Sequence, residues 1–316
     1  MVAQLCSITQ KIIKILRPKA LFSKYEIKWT NVVLITLFHL VALYGLLTFP
    51  YIQKYKTVLF AFILTLIAGF GVTGGVHRYW THKAYKAKLP LKIILVCCYT
   101  LAGQNSIYDW VRDHRIHHKF TETDADPHNS KRGFFFSHVG WLFIKKHPDV
   151  IEKGIQMDMS DIENDPIVNF ANKHFTKLKL LFAFVSVAVP VYVWNESWYY
   201  SAMAQLVRFI YTSNVTWSVN SLAHIWGTKP YNKNIAPVEN SFVTYITNGE
   251  GWHNFHHVFP FDYRCPEFAG RHDPTAKVIE IFAKIGWAYD LRKTKDSMIT
   301  STLMKHGDET IKSQLS

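Results

Sequence analysis

Cysteine and acidic residues are the scarce classes in this chain. Of 316 residues only 4 are cysteine (Cys6, Cys97, Cys98 and Cys265), and none has C-x-x-C spacing. Neither a disulfide framework nor a cysteine-built zinc site is therefore indicated. Asp and Glu number 23 against 36 Lys and Arg, a formal net charge of +13. That excess borders apolar runs and follows no recognition motif, so nucleic acid is a poor partner. Anionic lipid headgroups, an anionic substrate or an acidic redox protein fit better. No internal repeat or low-complexity linker appears, and the first 30 residues lack the short apolar core and cleavage site of a removed leader. Flavin and haem fingerprints are missing. A literal G-x-G-x-x-G at Gly69, Gly71 and Gly74 has no preceding strand and ends an apolar run, which argues against a dinucleotide site. Gly71 and Gly75, spaced as G-x-x-x-G, suit close helix packing instead.

What the chain has is 49% hydrophobic residues, strongly segregated. Residues 31–50 and 58–76 are long enough to cross a hydrocarbon core of roughly 30 Å at about 1.5 Å per residue. Residues 180–194 and 197–223 read as a third and a fourth span, the fourth interrupted by Arg208. The apolar run 91–103 is too short to cross. With four spans, 33 of the 36 Lys and Arg fall on one face, which the positive-inside rule makes cytosolic, with both termini. Asn195-Glu-Ser is a glycosylation sequon that hugs the opposite face. The stretch K-I-I-K-I-L near the start suits a membrane surface or a basic tail equally well. The expected architecture is an all-α integral membrane protein, one domain over 1–316. Its four spans carry a cytosolic helical cap built from 77–179 and 224–292, with a flexible tail at 293–316.

Nine histidines out of 16 fall into tight groups. His77 and His82 stand in H-R-Y-W-T-H; His114, His117 and His118 in H-R-I-H-H; His253, His256 and His257 in H-N-F-H-H. His224 closes N-S-L-A-H, four residues after Asn220. Steps of three and four put the imidazoles of each H-x-x-H-H on one helical face. The five-residue step from His77 to His82 needs a helix end or a local distortion. Imidazole suits Zn, Cu, Fe and Ni. Eight or nine ligands exceed what one ion takes, so two ions sharing the cluster is the simplest count. The Glu-x-x-His pairs of soluble di-iron bundles are absent. His39, His128, His138, His147, His174, His272 and His306 lack such grouping and are read as non-ligands. Four spans beneath a redox-capable cluster point to oxygen chemistry on a lipid-soluble substrate.

These residues resemble a family. H-R-Y-W-T-H, then D-H-R-I-H-H-K-F-T-E-T-D-A-D-P-H-N, then N-S-L-A-H, then G-W-H-N-F-H-H-V-F-P are similar to the membrane fatty acyl-CoA desaturases, closest to animal stearoyl-CoA-type enzymes and insect-like. The resemblance runs from about residue 29 to 292. It implies two iron ions (Fe2+) held by His77, His82, His114, His117, His118, His224, His253, His256 and His257, with Asn220 contacting a metal through water. It implies acyl-CoA contacts at Asn31, Asn105, Arg112, Asp113, Lys145, Lys146 and Trp217, O2 as co-substrate, and a location in the endoplasmic reticulum membrane. It implies a cis double bond, Δ9 being the commonest. With no H-P-G-G haem motif in the chain, cytochrome b5 and its reductase would be separate partners. Two rivals are a lipid hydroxylase with the same histidine boxes and a membrane metal-binding or transport protein. Ala61 and Thr65, one turn apart in the second span, are candidates for the closed end of an acyl tunnel.

Overall fold

The computed structural model describes residues 26–266 and 272–308. The K-I-I-K-I-L stretch and Cys6 lie outside them. Helix α1 (Trp29–Thr48) is apolar on every side, and only Ala42 and Gly45 along it are buried. Leu47 is 76% exposed and Val33 58%, the pattern of a helix solvated by lipid rather than water. Helix α2 (Tyr55–Phe70) runs without a break into a π-helix, Gly71–Thr81. The two form a single 27-residue apolar rod, Tyr55–Thr81. After the β1 strand (Lys86–Ala87) comes α3 (Leu89–Ala102), at 14 residues too short to cross.

Gly71 lets α3 reach the rod. A Cβ there would fall onto the backbone of Cys98 and Tyr99, whereas one on Gly75 would meet Leu95 of the same helix at 3.7 Å, an ordinary contact. The G-x-x-x-G reading therefore holds, with Gly71 as the position that demands glycine. Helix α4 (Ile107–Phe120) starts at Ser106, whose hydroxyl accepts the Asp109 N–H. Short helices follow: α5 (Phe134–His138), α6 (Pro148–Ile155), α7 (Ser160–Glu163) and α8 (Pro166–Lys173).

Helix α9 (Phe175–Trp194) is the third helix long and apolar enough to cross a membrane. It ends on Asn195 at φ 57°. Helix α10 (Trp198–Ile225) has 28 residues, about 42 Å, yet does not reach the apolarity of the other three. Its polar residues Gln205, Arg208, Thr212 and Ser213 are buried, not lipid-facing. Arg208 donates to Gln205 at 2.8 Å and to the carbonyl of Leu101 at 3.4 Å. The remaining helices are α11 (Ser241–Ile246), α12 (His253–Val258), α13 (Pro274–Lys284) and α14 (Asp296–His306).

Two features depart from the sequence reading. The fold is mostly helical, not wholly so: β1 pairs antiparallel with β2 (Ala288–Tyr289), Lys86 opposite Tyr289. Residues 293–308 are not a loose tail either. Helix α14 buries Ile299 and Leu303 against Tyr231, Phe255 and Phe259, and Phe255 belongs to H-N-F-H-H itself. The rest of the tail, 309–316, lies outside the described residues.

Candidate metal centre

The five-residue step from His77 to His82 is resolved by the π-helix. Its wide turn bonds the His82 N–H to the His77 carbonyl at 3.2 Å and the Thr81 hydroxyl to the Val76 carbonyl at 2.7 Å. Such i→i+5 turns are rare and concentrate at functional sites. His77 sits within this segment and His82 caps it. Helix α4 contributes His114, His117 and His118 from its last turns. The end of α10 supplies His224, and α12 supplies His253, His256 and His257.

The structure brings all nine together as two adjoining sets. One is His77, His82, His114, His118 and His256; the other is His117, His224, His253 and His257, each with its ligand nitrogens within 4.8 Å of one another. In the first set Nε2 faces Nε2 at 2.9 Å (His77–His256), 3.2 Å (His82–His114) and 3.1 Å (His114–His118 and His118–His256). In the second the spacings are 3.0 Å (His224–His253) and 3.1 Å (His253–His257). An ion holding nitrogens at about 2.1 Å sets right-angled neighbours about 3.0 Å apart.

Three of the opposite ring nitrogens are tied down by carboxylates. His77 Nδ1 lies 2.8 Å from Glu250, His117 Nδ1 2.9 Å from Asp126, and His224 Nδ1 2.9 Å from Glu122. A carboxylate keeps the proton on Nδ1, so bare Nε2 lone pairs converge. A cation between them removes that repulsion, so the donor set fits two metal ions. Burial, then the neighbouring imidazoles, holds His82, His114, His118, His253, His256 and His257 far below the usual histidine range, which keeps them neutral and able to ligate.

Glu250 is itself held. Arg78, buried in full, donates to Glu250 at 2.8 Å, to Asp273 at 2.9 Å and to the Tyr263 carbonyl at 2.8 Å. Burial opposes the Glu250 charge, but Arg78 and His77 outweigh it and hold its carboxyl down to about 2. These carboxylates were not singled out from the sequence, although the signal was present. Glu122 and Asp126 follow H-R-I-H-H in T-E-T-D-A-D, and Glu250 stands three residues before His253.

Two cavities meet at the centre. A narrow one, ≈ 80 Å³, runs from Thr65, Gly69 and Val72 on the rod past Tyr211 to His77 and His253. A wider one, ≈ 300 Å³, is bounded by Asn31, Asn105, Asp113 and Trp217. Trp110, His114, Thr216 and Asn220 line both. At this waist Gln104 donates to Thr216 at 2.8 Å and accepts from Trp110 at 3.0 Å. Of the carrier-contact candidates, Asn31 already donates to the Leu142 carbonyl at 2.8 Å. Lys146 reaches both Asp113 oxygens at 2.5 Å, and Arg112 lies 3.5 Å from Asp113. Arg112 and Lys146 border an open groove beside the wider cavity. Lys145 stands apart, 61% exposed and paired with Glu26 at 2.8 Å. Ala61 does not line the narrow cavity; it packs on Phe49, Met203 and Ala204 one turn beyond Thr65.

Among the histidines set aside as non-ligands, His39 and His138 both bond Asn214, and His147 accepts the Asp149 N–H at the head of α6. His128 contributes to neither set, yet its ring lies 4.3 Å from that of His117.

Fold and site together point to a membrane protein whose long apolar helices carry two adjoining histidine sets that could hold metal ions. Among known families, residues 55–289 match the fatty acid desaturases. An acyl-CoA Delta-9 desaturase of Acheta domesticus is 52% identical over 286 residues, 90% of this chain and 80% of that protein. An acyl-CoA Delta(11) desaturase of Spodoptera littoralis is 47% identical over 95% of this chain and 90% of its own length. Stearoyl-CoA desaturase 5 of Bos taurus is 47% identical over 92% and 88%. The chain belongs to the fatty acid desaturase family and is an oxidoreductase of lipid metabolism.

Proposed function

We propose that this chain introduces a cis double bond, Δ9 first among positions, into a saturated long-chain acyl-CoA. The reading rests on one observation: a polar-mouthed cavity leads past both histidine sets into a narrow apolar cavity between membrane helices. When bound, two irons supply the O2-dependent removal of two hydrogens, with two electrons and two protons yielding two waters. His77, His82, His114, His118 and His256 hold one ion. His117, His224, His253 and His257 would hold the other, and Asn220 on the cavity wall would contact a metal through water. Arg112 and Lys146 meet carrier phosphates, Lys145 adds charge at the rim, and Asn31, Asn105, Asp113 and Trp217 bond the polar arm. Gln104, Trp110 and Thr216 hold the chain at the waist, so that proximity and orientation choose the carbon pair.

In this reading α10 is a fourth span, the histidine face and both termini are cytosolic, the membrane is that of the endoplasmic reticulum, and electrons come from cytochrome b5 and its reductase. Expression in desaturase-deficient yeast, with double bonds located by mass spectrometry, tests it. Monounsaturated product is expected. A hydroxylated product would replace desaturation by hydroxylation, and a Δ11 product would correct the position alone.

A further inference from the structure

Among the described residues lining the wider cavity, His128 is the buried polar side chain with an inaccessible ring nitrogen, Nδ1, that lacks a hydrogen bond. It is 6% exposed. Its Nδ1 lies 3.6 Å from Asp126 Oδ1, beyond bonding distance. That oxygen already takes the His117 Nδ1–H at 2.9 Å and the backbone N–H of His128 at 3.1 Å. Asp126 is pinned by its second oxygen, which accepts the Glu122 N–H at 2.9 Å. Rings of His117 and Trp141 pack against the imidazole at 4.3 and 5.6 Å. A carboxylate on the Nδ1 side favours the ring proton there, which leaves Nε2 as a lone-pair acceptor. Once an acyl chain displaces water from this wall, an acceptor left without a donor costs about 1–3 kcal/mol, so a ligand that brings a donor to Nε2 avoids that loss.

The chemistry of an acyl-CoA narrows the donor. Its phosphates carry only acceptors at neutral pH and belong with Arg112 and Lys146. The thioester also carries only acceptors. The first N–H met on leaving the acyl chain is the amide two carbons beyond the sulfur. Resting on the acyl-CoA reading, we propose that His128 accepts a hydrogen bond from this amide and so fixes the head of the acyl chain against the wall that holds His117. His128 is then a substrate-binding residue, not a metal ligand.

Two thioesters of stearic acid separate the possibilities. One is with N-acetylcysteamine, which keeps the amide; the other has CH2 in place of its N–H. Each is used to displace labelled stearoyl-CoA from purified, iron-loaded full-length protein. The amide form should bind about tenfold more tightly to wild type. His128→Phe should bind both alike with unchanged iron per chain, and His128→Gln, which retains an acceptor, should keep part of the preference. Equal affinities in wild type overturn the assignment without recourse to any variant, and so does an undiminished preference in His128→Phe. If stearoyl-CoA itself does not bind, the acyl-CoA reading falls and takes this one with it.

Discussion

Thr65 offers the sharpest quantitative test. It lines the deep end of the narrow cavity, 12 residues before His77 along the rod. One turn further, Ala61 is packed against Phe49, Met203 and Ala204, so the space ends at Thr65. Thr65→Ile replaces a hydroxyl by an ethyl group and fills the end by roughly two methylene volumes. At about 0.8 kcal/mol per buried methylene, a chain two carbons too long loses ~1.6 kcal/mol, about 15-fold in kcat/KM. Preference should therefore move toward chains about two carbons shorter than wild type prefers, whereas the double-bond position counted from the thioester stays fixed. Ala61→Phe should behave differently. It overpacks a closed cluster, costs about 1–3 kcal/mol of stability and leaves the length profile alone. Initial rates with saturated acyl-CoAs of graded length, beside thermal melting, read both effects. An unchanged profile in Thr65→Ile, or the same shift in Ala61→Phe, would refute this account of the tunnel.

Three further outcomes follow from the geometry. Replacing His118, His224 or His257 by Ala should abolish desaturation and lower iron per chain below two, read by elemental analysis of membrane-inserted protein; full activity in any variant removes that residue from the site. Lys146→Glu, beside Asp113, should raise the KM for acyl-CoA several-fold with unchanged iron, whereas Lys145→Glu, exposed and paired with Glu26, should raise it less; equal effects would mean a diffuse positive face. Cysteines introduced by Lys119→Cys and Asn195→Cys should be labelled from opposite sides of sealed vesicles, since the proposed four spans would put these positions on opposite faces; labelling from one side breaks that topology. Native Cys265 cannot serve as this reporter, because it is 1% exposed beneath Arg78.

Much of this was readable in the sequence because the physics is periodic. Of the four runs read as spans, three coincide with the three long apolar helices, the fourth falls in the less apolar α10, and the run 91–103 forms a helix of only 14 residues. The histidine spacings predict shared faces, and the awkward step to His82 marks the π-helix. What stayed hidden depends on tertiary neighbours. Glu122, Asp126 and Glu250 resemble ordinary polar residues until folding aims them at Nδ1 atoms. Helix α14 hid in a polar stretch, since Ile299 and Leu303 are only two anchors and their partner is Phe255 of a histidine motif. Ala61 and Thr65 share a helix face, and only packing shows that one borders a cavity and the other does not.

The join between α2 and its π-helix divides this rod into two evolutionary regimes. Leu59, Phe62, Ile63, Leu66 and Ile67 are exposed along the outer part, where any apolar residue serves and sequences can drift. Between Gly71 and His77, gain or loss of one residue would rotate His77 around the axis, away from Glu250 and His256 at once. Relatives should therefore vary freely at these exposed positions and keep an invariant count between Gly71 and His82. The widened turn lets a greasy anchor and a metal ligand share one helix without sharing one periodicity.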